Sequence, residues 1–257
     1  MRLVWLASYP RSGNTWMRAL LYHYLFGAPA SSADINARIP DLDHMMRRGQ
    51  RLNADAADHL ICKTHSRCDE EHRFIRHTAG FILLLRHPRD VLLSLINFFS
   101  LTNNLKLDNH SFARAFIRDM GVPWWQASMG SWLEFNTSWL AAAGEHAHLV
   151  LRYEDMLRDP QAGLARALRF INVEPEPARL AEAVAGCSLE NMRRWEQQEK
   201  EAGELDTVFW GLSEAARQGR FFVNAGGSGG RLETLGTDLD AEFDARFGEL
   251  LHLMGYG

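Results

Sequence analysis

Cysteine is scarce in this 257-residue chain: there are three, Cys62, Cys68 and Cys187, with no CxxC pair and no His/Cys spacing suited to a metal. An odd, scattered set argues against a disulfide framework and a structural zinc site, and it fits a reducing compartment. Long apolar runs are missing as well. The run near the N-terminus is too short for a signal-peptide core and ends at Pro10 and Arg11. The run Phe81–Leu85 is strand-sized, far below the ~20 residues needed to cross a bilayer. A cytoplasmic protein is the expectation. Neither charge dominates: the formal net charge is −4, so no global basic field points to nucleic acid or to an anionic membrane. Any anion must be held by a local site.

What remains is the balance of a globular protein, with 46% apolar and 23% charged residues. The length suits one large α/β domain over 1–257. Strands are expected at Leu3–Ala7, His59–Lys63, Gly80–Leu85 and His148–Arg152, the third continuous enough to be buried on both faces. Helical spacing follows at Thr15–Phe26, at Val91–Phe99 behind a capping Asp90, and around Leu164–Ile171. Strands alternating with helices predict a parallel sheet covered on both sides. The segments 28–58, 100–131 and 195–231 are less regular, and are candidate lids over the carboxyl ends of the strands. Trp124, Trp125, Trp132, Phe98 and Phe99 are candidates for an aromatic acceptor pocket or for core packing.

Three short motifs carry chemistry. Tyr9-Pro-Arg-Ser-Gly-Asn-Thr-Trp16 joins the first strand to the first helix; Gly13 allows a close turn, and N–H groups at the helix start can point at one anion. The Gly-Lys-Ser/Thr ending that serves a metal-bound triphosphate is absent. Arg86-His-Pro-Arg-Asp90 ends the third strand, and Ser94 lies one turn into the next helix. Arg86 and Ser94 can form a second anion site, or Arg86 can pair with Asp90. Lys63-Thr64-His65 ends the second strand with Lys63 and His65 on one side. A histidine there can take a proton from an attacking hydroxyl, and a lysine beside it can neutralise developing charge.

Together these segments resemble the sulfotransferases that use 3′-phosphoadenosine 5′-phosphosulfate (PAPS). The first loop is similar to the family's 5′-phosphosulfate loop, Lys63-Thr64-His65 to the segment carrying its catalytic base, and Arg86 with Ser94 to its 3′-phosphate site. Arg152-Tyr-Glu-Asp-Met-Leu-Arg-Asp-Pro160 resembles its Tyr-Glu-Asp segment. Within the family, Pro40-Asp-Leu-Asp-His44, Cys187-Ser-Leu-Glu-Asn-Met192 and Phe222-Val-Asn-Ala-Gly-Gly227 look like segments of the small bacterial enzymes that sulfate glycopeptide antibiotics.

The resemblance implies a P-loop-like α/β sulfotransferase fold, PAPS as donor, a small-molecule hydroxyl acceptor, no metal, and often a dimer. It implies His65 as base, with Lys63 and Arg11 stabilising charge. Ser12, Gly13, Asn14 and Thr15 would cradle the 5′-phosphate, with Trp16, Tyr153, Ser188 and Leu189 around the adenine. Arg86 and Ser94 would hold the 3′-phosphate, closed over by Gly226, Gly227 and Arg231. Arg11 stands where the family usually has lysine. The 225–231 loop keeps the family's glycines but only one of its cations, Arg231. A P-loop small-molecule kinase and a non-catalytic nucleotide-binding protein of the same fold stay open as alternatives.

Overall fold

The computed structural model describes residues 2–256 apart from 48, 50–58, 70–74, 103–106, 205–206, 212 and 225. Parts of the expected lid segments, 48 and 50–58, 103–106, and 205–206, 212 and 225, therefore lie outside the described residues.

Four strands form one parallel sheet: β1 (Arg2–Ser8), β2 (His59–Thr64), β3 (Thr78–Leu85) and β4 (Ala147–Arg152). Their order is β2-β1-β3-β4, with Val4 opposite Ile61 and Gly80, and Leu83 opposite Val150. Alternation along the central strands sends side chains to two separate cores. Leu3, Trp5, Ala7, Phe81, Leu83 and Leu85 join one, while Leu6, Ile82 and Leu84 join the other. A strand covered on both faces must be apolar at every position, which is why Phe81–Leu85 reads as an unbroken run.

Helix α1 (Asn14–Phe26) lays Met17, Leu20, Leu21 and Tyr24 on the second core, the i, i+3, i+4, i+7 pattern of one helical face. On the opposite side of the sheet, the helix Pro88–Thr102 contributes Val91, Leu92, Leu95 and Phe99. It is joined there by Asn109–Asp119, Trp132–Ala141 and Leu239–Leu253.

Two details differ from expectation. The helix after β3 begins at Pro88 instead of after Asp90; proline suits a first helical position, where the missing N–H has no partner to lose. The segments read as irregular also contain regular helices, Asn109–Asp119 among them, whose start is capped by Asp108 accepting from Ser111 N–H at 2.9 Å. Among the described residues, no helix is long and apolar enough to cross a membrane.

Leu83 is fully buried while Leu253 is 77% exposed. Leu83→Ala is expected to lower unfolding free energy by roughly 2–5 kcal/mol through lost transfer energy and a residual cavity. Leu253→Ala should change it by less than about 0.5 kcal/mol; urea unfolding of both variants measures the contrast.

Candidate active site

Because all four strands run the same way, their carboxyl ends meet at one edge of the sheet. The residues that follow them line a single cavity of about 520 Å3: Arg11 after β1, His65 after β2, Arg86 after β3 and Tyr153 after β4. β1 sits where the strand order reverses, with β2 on one side and β3 on the other. That crevice is where parallel α/β sheets bind ligands.

The loop from β1 to α1 turns through two left-handed residues, Arg11 (φ 71°) and Gly13 (φ 92°). A Cβ on Gly13 would lie 2.6 Å from Cδ2 of Tyr153, so a side chain is excluded there on both counts. α1 starts without a side-chain cap, which leaves its first N–H groups available to an anion. Asn14 does not offer its amide to the cavity. Its Nδ2 donates to Leu6 O at 3.0 Å and Ser8 Oγ at 3.1 Å, tying the helix start to β1. Ser12 Oγ is buried with no partner among the described residues. Thr15 and Trp16 line the cavity; Trp16 Nε1 donates to Cys187 O at 3.1 Å, and its ring meets Tyr153 edge-on at 6.0 Å.

The two expected anion sites adjoin. Arg11 Nε donates to Ser94 Oγ at 2.9 Å and Nη2 to Phe222 O at 2.8 Å, with the guanidinium 4.1 Å from the centre of the Phe222 ring. Arg11 therefore points at the residue expected to hold the 3′-phosphate. Arg86 donates from Nη1 to Arg11 O at 2.7 Å and from Nη2 to Gly227 O at 2.9 Å, lies 4.2 Å from the centre of the Tyr153 ring, and keeps Nε unpartnered. Neither arginine has a carboxylate ion-pair partner among the described residues. Burial, then repulsion from Arg86, lowers the Arg11 pKa to about 10. The alternative pairing of Arg86 with Asp90 is not formed: the Asp90 carboxylate accepts from Gly229 N–H at 3.0 Å and Gly230 N–H at 2.8 Å.

At the other side of the loop, His65 Nδ1 lies 2.6 Å from Ser8 O. A carbonyl only accepts, so Nδ1 carries the proton and Nε2 presents its lone pair. Asp43 holds the turn, accepting from His65 N–H at 2.7 Å and Ser66 Oγ–H at 3.0 Å. Burial, with repulsion from Lys63 in support, pushes the His65 imidazole pKa down to about 4, so the ring is neutral near pH 7. Lys63 Nζ is ion-paired with Asp41, and both line the cavity.

Three expected contacts, Ser12, Ser188 and Arg231, fall outside the cavity lining. Ser188 caps the helix Leu189–Ala202, accepting from Asn191 N–H at 3.3 Å. Arg231 turns to solvent, its side chain 70% exposed and paired with Glu233. The reason is that Asp90 has already pinned the two preceding residues, Gly229 and Gly230, and the chain leaves the site from there. Leu189, Gly226 and Gly227 do line the cavity. Residues that motif reading did not assign are Asp41, Phe222, Trp210 and Glu196. Asp41 stood in a quoted segment, but its pairing with Lys63 crosses 22 positions of sequence. Glu196 lies on a polar helix with no local signal; its carboxylate accepts from Phe222 N–H at 2.6 Å and Val223 N–H at 2.9 Å.

Known proteins resemble this chain in sequence and in fold. Mouse sulfotransferase 4A1 is 23% identical over 194 residues, 72% of this chain and 64% of that protein. Flavonol 4′-sulfotransferase of Flaveria chlorifolia is 26% identical over 214 residues, covering 75% and 64%. The chain thus spans just under two thirds of the length of these relatives. Among solved structures, retinol dehydratase in complex with androsterone and the inactive cofactor PAP superposes with a TM-score of 0.70 at 17% identity, covering 96% of this chain and 81% of that one. Mouse sulfotransferase SULT7A1 complexed with PAP gives 0.69 at 17%, covering 97% and 84%. The fold is the sulfotransferase fold. With the sulfotransferase domain model matching residues 2–255, the cavity and all four strand ends fall inside the match, and the chain belongs to the sulfotransferase family.

Proposed function

We propose that this protein transfers a sulfonate group from PAPS to a hydroxyl of a small molecule, with His65 as general base. The observation that carries this reading is the imidazole tautomer. Ser8 O fixes the proton on Nδ1, so Nε2 is free to accept one in the cavity that also holds Arg11, Arg86 and Lys63. The donor supplies an activated sulfuryl group on a phosphate leaving group. Everything else falls to the chain: binding two anionic ends, placing the acceptor oxygen, and taking its proton.

Polar atoms of this structure fit such a donor. Ser12 Oγ and Arg86 Nε are buried and unpartnered, and two guanidinium groups stand close together with no carboxylate in direct ion-pair contact among the described residues. A bisphosphorylated adenosine meets both demands. The uncapped start of α1 and Thr15 would hold its 5′ end, Arg86 and Ser94 its 3′ end, and Trp16 and Tyr153 its base. Arg11, now on Ser94, reaches either end by rotating its side chain. A magnesium triphosphate fits less well, since the Walker lysine is missing and the loop's asparagine amide is engaged with β1.

Trp125, Met129 and Trp210 line the same cavity as His65 and Lys63, and we assign this apolar surface to the acceptor. All three segments resembling the glycopeptide-modifying enzymes border this cavity, through Asp41, Leu189 and Phe222. A natural-product hydroxyl, in a glycopeptide or similar scaffold, is the acceptor we favour. A single sulfotransferase domain over 1–257, working in the cytoplasm, completes the proposal.

His65→Ala is expected to lower kcat by at least the roughly 100- to 10,000-fold of a lost general base. Calorimetry should find its affinity for adenosine 3′,5′-bisphosphate within about twofold of wild type, a window of ~0.4 kcal/mol; an active His65→Ala enzyme would remove His65 as base. Because the imidazole pKa is depressed, its basic form persists as pH falls, and is lost only near pH 4. Wild-type kcat/KM should therefore stay level from pH 7 down to about 5, where an unperturbed histidine would lose most of its basic form. Arg86→Ala should weaken bisphosphate binding roughly tenfold to 100-fold, as a charge-assisted hydrogen bond of ~1.5–3 kcal/mol requires. Affinity for magnesium-ATP equal to that for the bisphosphate would instead favour the kinase alternative.

A further inference from the structure

Asp41 reached the cavity by a route the motifs did not show. Residues 40 and 41 run beside β2 as a one-residue parallel bridge, with Lys63 N–H donating to Pro40 O at 2.8 Å. That pairing sets Asp41 alongside Lys63, and its Oδ2 closes on Lys63 Nζ with the two side chains only 6% and 10% exposed. The second oxygen, Oδ1, accepts from His44 N–H at 3.1 Å, so both oxygens have partners.

The backbone leading to Asp41 is fixed in turn by Arg18 of α1. Its Nε and Nη2 donate to Ile39 O, and Nη2 also to Asn36 Oδ1 at 2.6 Å. The groups facing the pair are Arg18 from α1, Cys62 from β2, and Asp43 and His65 from the adjoining turns. Burial alone would raise the Asp41 pKa. The opposing charges of Lys63, His65 and Arg18, with the Lys63 hydrogen bond, outweigh it and hold the carboxyl well below its ordinary range. Asp41 is therefore a carboxylate at every pH at which the protein works.

We propose that Asp41 is a positioning residue of the transfer site, whose carboxylate fixes the Lys63 ammonium in the cavity wall beside His65, ready to meet charge on the transferred group. The inference rests on the sulfotransfer reading above. A lysine head on a four-carbon stem has three rotatable donors and no inherent direction. Asp41 gives it one, and keeps a buried ammonium compensated. The arrangement also separates two tasks that adjacent cation and base would otherwise confuse: Lys63 is paired with Asp41, while His65 is held by Ser8 O and stays free to accept a proton.

The chain's composition makes a direct test practical, because it has three lysines, Lys63, Lys106 and Lys200. With 13Cε-labelled lysine, carbon NMR follows the ionisation of Lys63 in wild type and in Asp41→Asn. Loss of the carboxylate should move the Lys63 transition to lower pH, since a buried ammonium without a counter-ion favours its neutral form. In turnover, Asp41→Asn should lower kcat on the order of 10- to 100-fold with little change in donor KM, as misplacement of a charge-stabilising group does. Its log kcat should bend downward as pH rises above neutrality, a limb absent from wild type. Adding Lys63→Arg, which stays charged, should straighten that limb. A Lys63 transition that does not move, or a kcat profile superimposable on wild type, overturns the proposal. If Asp41→Asn does not fold, Asp41→Glu carries the test: it must lower kcat while leaving the profile level, and an unchanged kcat overturns it. If the wild type transfers no sulfonate to any acceptor, the NMR arm still decides whether Asp41 holds the ammonium, and the failure belongs to the assigned function.

Discussion

Two buried guanidinium groups held by carbonyls instead of carboxylates are the constraint on which the site depends. Arg11 leans on Phe222 O and Ser94 Oγ, Arg86 on Arg11 O and Gly227 O. Carbonyl dipoles orient a cation without cancelling its charge, and solvent is largely excluded. An anion entering the cavity therefore meets two guanidinium groups that no carboxylate contacts directly, in a setting where attraction is stronger than in water. Had Asp90 paired with Arg86, that attraction would have been consumed internally. Asp90 is instead committed to Gly229 and Gly230.

The same interactions fix the strap over the cavity. The four backbone polar groups of Phe222 and Val223 are all taken by side chains: both N–H groups by Glu196, Phe222 O by Arg11, and Val223 O by Arg193 Nε at 3.0 Å. Asn97 holds Phe221 O at 3.1 Å. A segment without secondary structure cannot leave buried backbone groups unpaired, and here helix side chains replace a neighbouring strand. The glycines beyond it allow close approach to Arg86 and Asp90. The strap is thus a built wall of the site, which bears on how few cations it carries. Arg11 contacts it through Phe222 O, while Arg231 faces solvent.

How much of this was legible in sequence follows from where each signal is stored. The strands and α1 were readable because their information is local: alternate burial makes β3 continuously apolar, and α1 repeats its buried face every three to four residues. The clustering of Arg11, Lys63, His65 and Arg86 was readable because parallel strands bring their following residues to one edge. The helix Leu189–Ala202 was largely missed because its buried residues are Met192, Glu196 and Glu199. Two of those three are carboxylates serving distant backbone, so the face it buries looks like a solvated one. The Asp41–Lys63 pair was equally hidden, since a bridge across 22 positions leaves no trace in spacing. Asn14 shows what spacing leaves out: its side-chain amide donates to Leu6 and Ser8, so what it offers at the cavity is its backbone N–H at the uncapped start of α1.

Ser8 joins these threads. It is the last residue of β1 and fully buried; its Oγ accepts from Asn14 at the start of α1, and its carbonyl accepts from His65 Nδ1. The first loop and His65, the base proposed above, are therefore referenced to the same residue of the central strand. In a transfer reaction whose rate depends on alignment of donor and acceptor, that shared anchor matters more than the strength of either bond alone. His65 follows β2, and the loop follows β1, its neighbour in the sheet. Adjacent parallel strands keep their ends at a fixed lateral spacing of ~4.8 Å, so the proton acceptor and the anion cradle are set side by side by the sheet itself.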